Sequence, residues 1–234
     1  MARPRSAGYD DHRGQILAGA ARLFATRGYA ATTMNDVAAA CGLSKATLYH
    51  YVRDKHDLLA QVTRTHVQRL EALVAGVLAR GLAPQPRLAA LIECFMDAYA
   101  DAQHEHRVLT EDVRFLQPAP RREVQDGQRR VVDAFAATIA AARPDLAERP
   151  VAAALAMLLF GMMNWTFTWL RTAGPLSHEA VARMVSELFF GGLPAVRVPP
   201  GAPLSQQAPP SLARARGPMK PVKPLRRAPA AARR

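Results

Sequence analysis

Between Thr32 and Lys55 the chain reads TTMNDVAAACGLSKATLYHYVRDK and gathers side chains suited to contacting a polyanion. Lys45, Thr47, Tyr49, His50 and Tyr51 supply an ammonium, three hydroxyls and an imidazole, and Lys55 adds a second ammonium. Cations and hydroxyls hold a protein on phosphates, while side chains that reach base edges read sequence, so both kinds of contact needed for double-stranded DNA are present. Catalytic chemistry has no such concentration. No GxSxG, CxxC, HExxH or phosphate-loop pattern occurs, so neither an enzyme nor a bound cofactor is expected.

The elements that position this set follow from local signals. Thr33 precedes Asp36 by three, the spacing at which each side chain satisfies a backbone N–H at a helix start, so a helix begins near Met34. Gly42 stands where a left-handed residue closes that helix. Ser44 then caps a second helix from Lys45 to about Tyr51, with Leu48 and Val52 one turn apart on its inner side. The result is a helix-turn-helix with a polar outer face. Upstream, Asp10 or Asp11 opens a helix whose Ile16, Leu17, Ala20, Leu23 and Phe24 form one apolar face, Gly28 ends it, and Tyr29 packs back on the small core. Downstream, Asp54 and Asp57 open a long fourth helix with Lys55 in its first turn, where a helix N-terminus also favours a phosphate.

Three linked motifs in this region, LF-x(3)-GY-x-x-TT, A-x-x-x-G-L-S and T-L-Y-x-Y-V, resemble the N-terminal domain of the TetR family of transcriptional regulators over roughly residues 10 to 60. The resemblance implies an all-α homodimer of about nine helices: a three-helix DNA-binding head and a variable C-terminal domain for ligand binding and dimerisation. It also implies a division of roles. Thr33, Tyr49, His50 and Lys55 become phosphate contacts, and Lys45, Thr47 and Tyr51 become candidates for base readout in a near-palindromic operator, beside the capping Ser44.

Charge agrees with that division. The 234 residues carry a formal net charge of +12, yet residues 194–234 hold nine Lys/Arg and no Asp/Glu. Residues 1–55 hold eight Lys/Arg against four Asp/Glu, and the stretch between is slightly acidic, so only the head and the tail suit phosphates. Four segments are expected: a basic arm at 1–9 with Arg3 and Arg5, the head at 10–55, a body at 56–193, and a disordered Pro/Arg-rich tail at 194–234. Two cysteines inside predicted helices give no disulfide framework, residues 1–14 contain no apolar leader, and a reducing cytoplasm is expected.

Half of the residues are hydrophobic, and the periodicity of the body is helical throughout. Leu59, Val62, His66, Leu70, Leu73 and Val77 line the fourth helix; Gly81, Pro84 and Pro86 break the chain; Leu88, Leu91, Ile92, Phe95, Met96 and Tyr99 line the fifth. A short helix within 101–117 follows, then a seventh from Pro120 to before Pro144. His104 and His106 form an H-x-H pair, but rings so spaced on a helix face different ways, and a solvated face is expected rather than a metal site. Residues 151–170 contain no charge and are long enough to span a bilayer, which keeps a membrane-anchored protein as an alternative. Under the resemblance this segment and the helix opened by Ser177, bearing Val181, Met184, Val185, Leu188 and Phe189, form a four-helix dimer interface instead, with no membrane.

The effector is read from the body. Phe95, Tyr99, Phe115, Trp165 and Trp169 suggest an apolar or aromatic moiety, with Asn164 as an orienting group. The runs FGMMNWTFTWLRTAGPLSHEAV and EDVRFLQPAPRREVQDGQRRVVDAF resemble the C-terminal domain of TetR-family repressors that sense acyl-CoA thioesters, fatty-acyl or phenylacetyl. That implies Arg107, Arg114, Arg121 and Arg122 as partners for coenzyme A phosphates. A regulator of efflux that answers a non-CoA hydrophobic compound is the competing expectation.

Overall fold

The computed structural model describes residues 7–170 and 174–197. The arm as far as residue 6, Arg171 and the tail from residue 198 lie outside the described residues, and so do the expectations placed on them. The described chain is helical, in the order α1 (Ala7–Arg27), α2 (Met34–Ala40), α3 (Lys45–Tyr49), α4 (Lys55–Ala79), α5 (Pro84–Asp101), α6 (Gln103–Glu111), α7 (Pro118–Ala142), α8 (Arg149–Asn164) and α9 (His178–Gly192), with short 3-10 turns after α6, α7, α8 and α9.

The capping chemistry sets most of these boundaries. Thr33 Oγ1 accepts from Asp36 N at 3.2 Å while Asp36 Oδ2 accepts from Thr33 N at 2.8 Å, satisfying two N–H groups at the start of α2. Ser44, Asp54 and Ser177 cap α3, α4 and α9 in the same way, from one side only. The carboxylate of Asp57 instead takes the N–H of Arg53 at 2.9 Å, which fixes the turn between α3 and α4. Gly42, at φ +66°, supplies the left-handed residue of the helix-turn-helix, a conformation that costs an ordinary L-residue roughly 1–2 kcal/mol. Two boundaries differ from the periodicity. Helix α1 starts about a turn before Asp10, where Tyr9 stacks on Tyr51 at 4.8 Å and holds the first turn on the head. Helix α7 starts at Pro118 rather than Pro120, because a proline fits the first helical position, where no N–H partner is needed.

Helices α1 to α3 close a small core around Phe24, Val37 and Leu48, each at most 1 % exposed. Helix α4 leaves the head and packs on α5, α6 and α7; α7 in turn packs on α5 and α8, and α5 on α9. The α4–α7 crossing is close, since a Cβ on Gly127 would fall 2.3 Å from Val67 Cγ1. Two ion pairs flank it, Arg64–Glu123 at 2.7 Å and Arg130–Glu71 at 2.5 Å.

Helix α8 is α-helical for 16 residues, about 24 Å at 1.5 Å per residue, before it tightens into a 3-10 turn at Trp165–Thr168. It contributes Leu159, Phe160 and Met163 to the core and leaves Leu158 65 % exposed. On α9, Val181, Val185 and Phe189 are buried within the chain, whereas Met184 and Leu188 are exposed. The apolar set expected for an interface therefore divides. One half packs on the chain's own core, and Leu158, Met184 and Leu188 remain on its surface.

Candidate nucleic-acid interface and a buried cavity

In the head, Leu48 and Val52 anchor α3 from inside, and Lys45, Tyr49 and His50 are left exposed on its outer side. The Thr47 hydroxyl lies 2.7 Å from Ser44 Oγ, which also accepts from Thr47 N at 3.0 Å, so the methyl of Thr47 is the part left for an outside contact. Thr33 is exposed, but its hydroxyl donates to Asp36 Oδ2 at 2.6 Å within the α2 cap.

Two of the eight expected DNA-contacting side chains are engaged inside the head. Tyr51 is half-buried in its stack on Tyr9. Lys55 Nζ donates to the carbonyls of Tyr29 and Thr32 at 2.9 Å and of Ala30 at 3.3 Å, and it sits 4.5 Å from the centre of the Tyr29 ring. An ammonium has three N–H groups, and all three are used on the loop between α1 and α2. In this conformation the Lys55 ammonium holds the loop, and the direct phosphate contact implied by the resemblance would need it to give up one of these carbonyls. Lys55→Ala is therefore expected to lower the melting temperature, since three loop carbonyls lose their donor at about 1 kcal/mol or more in sum, and to weaken DNA binding at all sequences through the displaced loop. Lys45→Ala should leave stability unchanged and both lower the salt slope of binding and relax base preference. Melting curves of the two variants beside salt titrations on operator and random DNA check this; equal melting temperatures would return Lys55 to the phosphate set.

Tyr29 ties this head to the body. Its ring stacks on Phe115 at 5.1 Å, and its hydroxyl lies 3.0 Å from His56 Nδ1. Burial, with Asp54 and Asp112 nearby, pushes the Tyr29 phenol up to about 12, so it stays neutral. Phe115 belongs to the 3-10 turn that ends α6, and α6 packs along α1.

The body holds a narrow cavity, with room for about one water, between α4, α5, α6, α7 and α8. Its apolar walls include Val67, Leu70, Leu109, Val131 and Phe160, and its polar groups are Tyr99, His106, Thr110, Gln128 and Asn164. His106 is 3 % exposed, not solvated as expected, because the inner face of α6 carries residues 106, 109 and 110 while His104 faces water. Its ring stacks on Tyr99 at 3.6 Å, and its Nδ1 lies 3.4 Å from Nε2 of the buried His66. Burial pushes His66 down to about 4, and burial beside His66 holds His106 well below the ordinary imidazole range, so both rings are neutral. Among the described residues no group of three His, Cys, Asp or Glu gathers around a metal position.

Of the eight residues expected to contact a ligand, Tyr99 and Asn164 line this cavity. Phe95 stands behind it, edge-on to Phe135 at 5.0 Å and to Phe160 at 6.0 Å. Phe115 lies at the head–body junction with Arg114 over its ring at 4.8 Å, and Arg107 pairs with Glu111 at 3.0 Å on the outer side of α6. Trp165 is half-buried and Trp169 is 49 % exposed, and neither lines the cavity. Sequence reasoning missed His66, His106 and Gln128 as a group. The available signal was a polar residue at a core position: His66 between Val62 and Leu70, and Gln128 between Val124 and Val132.

The chain is similar to known proteins over both of its regions. The family described as bacterial regulatory proteins, tetR family, matches residues 16–62, and the tetracyclin repressor-like C-terminal domain matches residues 81–193. A TetR-family transcriptional regulator from Bordetella parapertussis 12822 is 32 % identical, with a TM-score of 0.75 over 82 % of this chain and 100 % of the other. The transcriptional activator FasR of Mycolicibacterium smegmatis is 26 % identical over 184 residues, 79 % of this chain and 84 % of FasR. AibR, solved in complex with isovaleryl coenzyme A and operator DNA, is 25 % identical with a TM-score of 0.68, covering 76 % of this chain and 97 % of AibR. With a capped helix-turn-helix at one end, a helical body at the other and both family regions matched in order, the chain belongs to the TetR family of DNA-binding transcriptional regulators.

Proposed function

We propose that the protein is a cytoplasmic, homodimeric repressor that holds a palindromic operator through α3 and releases it when an apolar effector, an acyl-CoA thioester, enters the cavity of the body. The observation that carries the reading is that α6 serves both ends. His106, Leu109 and Thr110 form one wall of the cavity, while the same helix packs on α1 and ends in the Phe115–Tyr29 stack. A cavity with room for one water admits an acyl group only if its walls separate, so the effector favours a second conformation by its affinity difference between the two. Displacement of α6 or of α4, which contributes Val67 and Leu70, tilts the head and moves the two copies of α3 off a spacing of about 34 Å, one turn of DNA.

On the DNA, Lys45 and the Thr47 methyl are assigned to base edges, and Tyr49 and His50 to phosphates, with Ser44 capping the helix that carries them and Thr33 capping α2, which precedes it. Exposed Leu158, Met184 and Leu188 on α8 and α9 are assigned to the dimer contact. The likeness to AibR, whose solved complex contains isovaleryl coenzyme A, supports the thioester class. A second reading, an uncharged effector without coenzyme A such as an efflux substrate, is favoured by one feature: no Lys or Arg lines the cavity, and Arg107 and Arg114 lie outside it.

The test is a DNA retardation assay on the promoter region beside the protein's own gene, titrated with phenylacetyl-CoA, long-chain acyl-CoA and free CoA. Release by one thioester but not by free CoA is expected. Retardation that no thioester relieves would sink the thioester class and leave the second reading, and no retardation at all would remove the operator from that promoter.

A further inference from the structure

Buried polar atoms in a folded chain are almost always paired, and those left unpaired mark places where stability has been given up. Among the described residues, four buried side-chain atoms have no hydrogen-bonding partner in the protein: Arg64 Nε, His106 Nε2, Gln128 Oε1 and Asn164 Oδ1. Three of the four belong to residues lining the narrow cavity between helices α4 to α8. Gln128 and His106 are each 3 % exposed, so no surface solvent compensates them.

Accepting the body as an effector domain, we propose that this cavity takes the uncharged, apolar part of its effector by a hydroxyl group, with His106 Nε2 donating to the hydroxyl oxygen and the hydroxyl donating to Gln128 Oε1 or Asn164 Oδ1. The charge follows from the lining. No Asp, Glu, Lys or Arg is in the cavity wall, so an inserted carboxylate or ammonium would be buried without a counter-ion. The functional group follows from the inventory of donors and acceptors. Two amide oxygens call for a donor, which a ketone, an ester or a thioester carbonyl lacks, whereas a hydroxyl has one donor and two acceptor sites. His106 complements it. With both imidazoles neutral, the tautomer in which His66 Nε2–H donates to His106 Nδ1 across 3.4 Å leaves the N–H of His106 on Nε2, towards the ligand. For a thioester effector the hydroxyl must then lie on the acyl chain, since the thioester has no donor of its own. A site built to bond a hydroxyl rejects the analogue that lacks it, because its own polar groups are then left unpaired.

The experiment uses the full-length chain and two matched series, followed by calorimetric titration and thermal shift. The first compares β-hydroxydecanoyl-CoA with decanoyl-CoA; the second compares cyclohexanol with cyclohexanone and methylcyclohexane. In at least one series the hydroxylated member is expected to bind about tenfold more tightly than its partners. Gln128→Met, which keeps the shape and removes the amide, is expected to reduce that preference to about twofold or less while leaving the ligand-free melting temperature unchanged or raised. Cyclohexanol preferred with both CoA esters inert would uphold the hydroxyl site and sink the thioester reading. Both CoA esters bound equally and both releasing operator would keep the thioester reading and overturn the hydroxyl site. No preference in either series, with binding or without it, means that the three atoms only hydrate an internal water and overturns the proposal, as would a Gln128→Met variant that melts several degrees lower with its preference intact.

Discussion

Leu188→Glu is expected to yield a folded monomer that no longer retains operator DNA. Leu188 is 70 % exposed on α9 and Leu158 is 65 % exposed on α8, while Leu159, Phe160 and Met163 of α8 and Val185 and Phe189 of α9 turn into the core. Large apolar groups left in water on two adjacent helices mark a surface that another protein covers. Because the side chain at position 188 makes no contribution to the core of its own chain, a carboxylate there is tolerated in the isolated protomer. In the proposed twofold interface it is buried, and twofold symmetry introduces the charge twice. Burying an unpaired charge costs several kcal/mol, so at roughly 2 kcal/mol or more per copy the dissociation constant of the dimer rises by about a thousandfold or beyond. Each freed head then meets only half a site. Analytical ultracentrifugation, circular dichroism and retardation on the same preparations check the three parts. A variant that stays dimeric and keeps its operator would move the interface away from α8 and α9.

The same helices illustrate how much of the molecule was legible before its structure. Helix starts were, wherever a short polar side chain satisfies a local N–H: Thr33, Ser44, Asp54 and Ser177 act within three residues, so spacing alone reveals them. The left-handed Gly42 and the inward Leu48 and Val52 belong to the same class of local rule. What was not legible depends on which helix face meets which neighbour. An apolar stripe on α9 is one stripe in sequence, and only packing against α5 divides Val181 and Val185 from Met184 and Leu188. The aromatic residues picked for a ligand were chosen by type, and type does not separate Phe95 in the core from Phe115 at the head. The His66–His106 contact spans 40 positions in sequence, and no periodicity on either helix points to the other. Lys55 was legible as a cation at a helix start but not as the donor to three carbonyls of the distant loop between α1 and α2.

That long-range imidazole pair has a consequence for stability, namely marked acid sensitivity centred on His66. An unfolded imidazole titrates near 6.5, whereas burial pushes folded His66 down to about 4 and holds His106 lower still. Between these values the unfolded chain binds protons that the folded chain refuses. Stability that is complete above about pH 6.5 is therefore lost as the pH falls, at about 1.4 kcal/mol per pH unit for each imidazole, which for His66 alone amounts to about 3 kcal/mol by pH 4. Asp112 has the opposite sign. Burial raises its carboxyl to about 6, so its contribution is complete below the unfolded carboxyl value and is lost as the pH rises through 6. Acidification from pH 6 to 4 thus regains one proton's worth per unit from Asp112 against the two imidazoles. The net slope is still a loss, of about one proton per pH unit between pH 6 and 5, where the two imidazoles outweigh the single carboxyl. Urea unfolding at pH 7, 6 and 5 gives this slope directly. In His66→Leu, which keeps the side chain apolar in the stripe between Val62 and Leu70, the curve should flatten by about one proton across that range. An unchanged slope would mean that His66 titrates alike in the folded and unfolded chains, and with it would go the neutral pair that orients His106 towards the cavity.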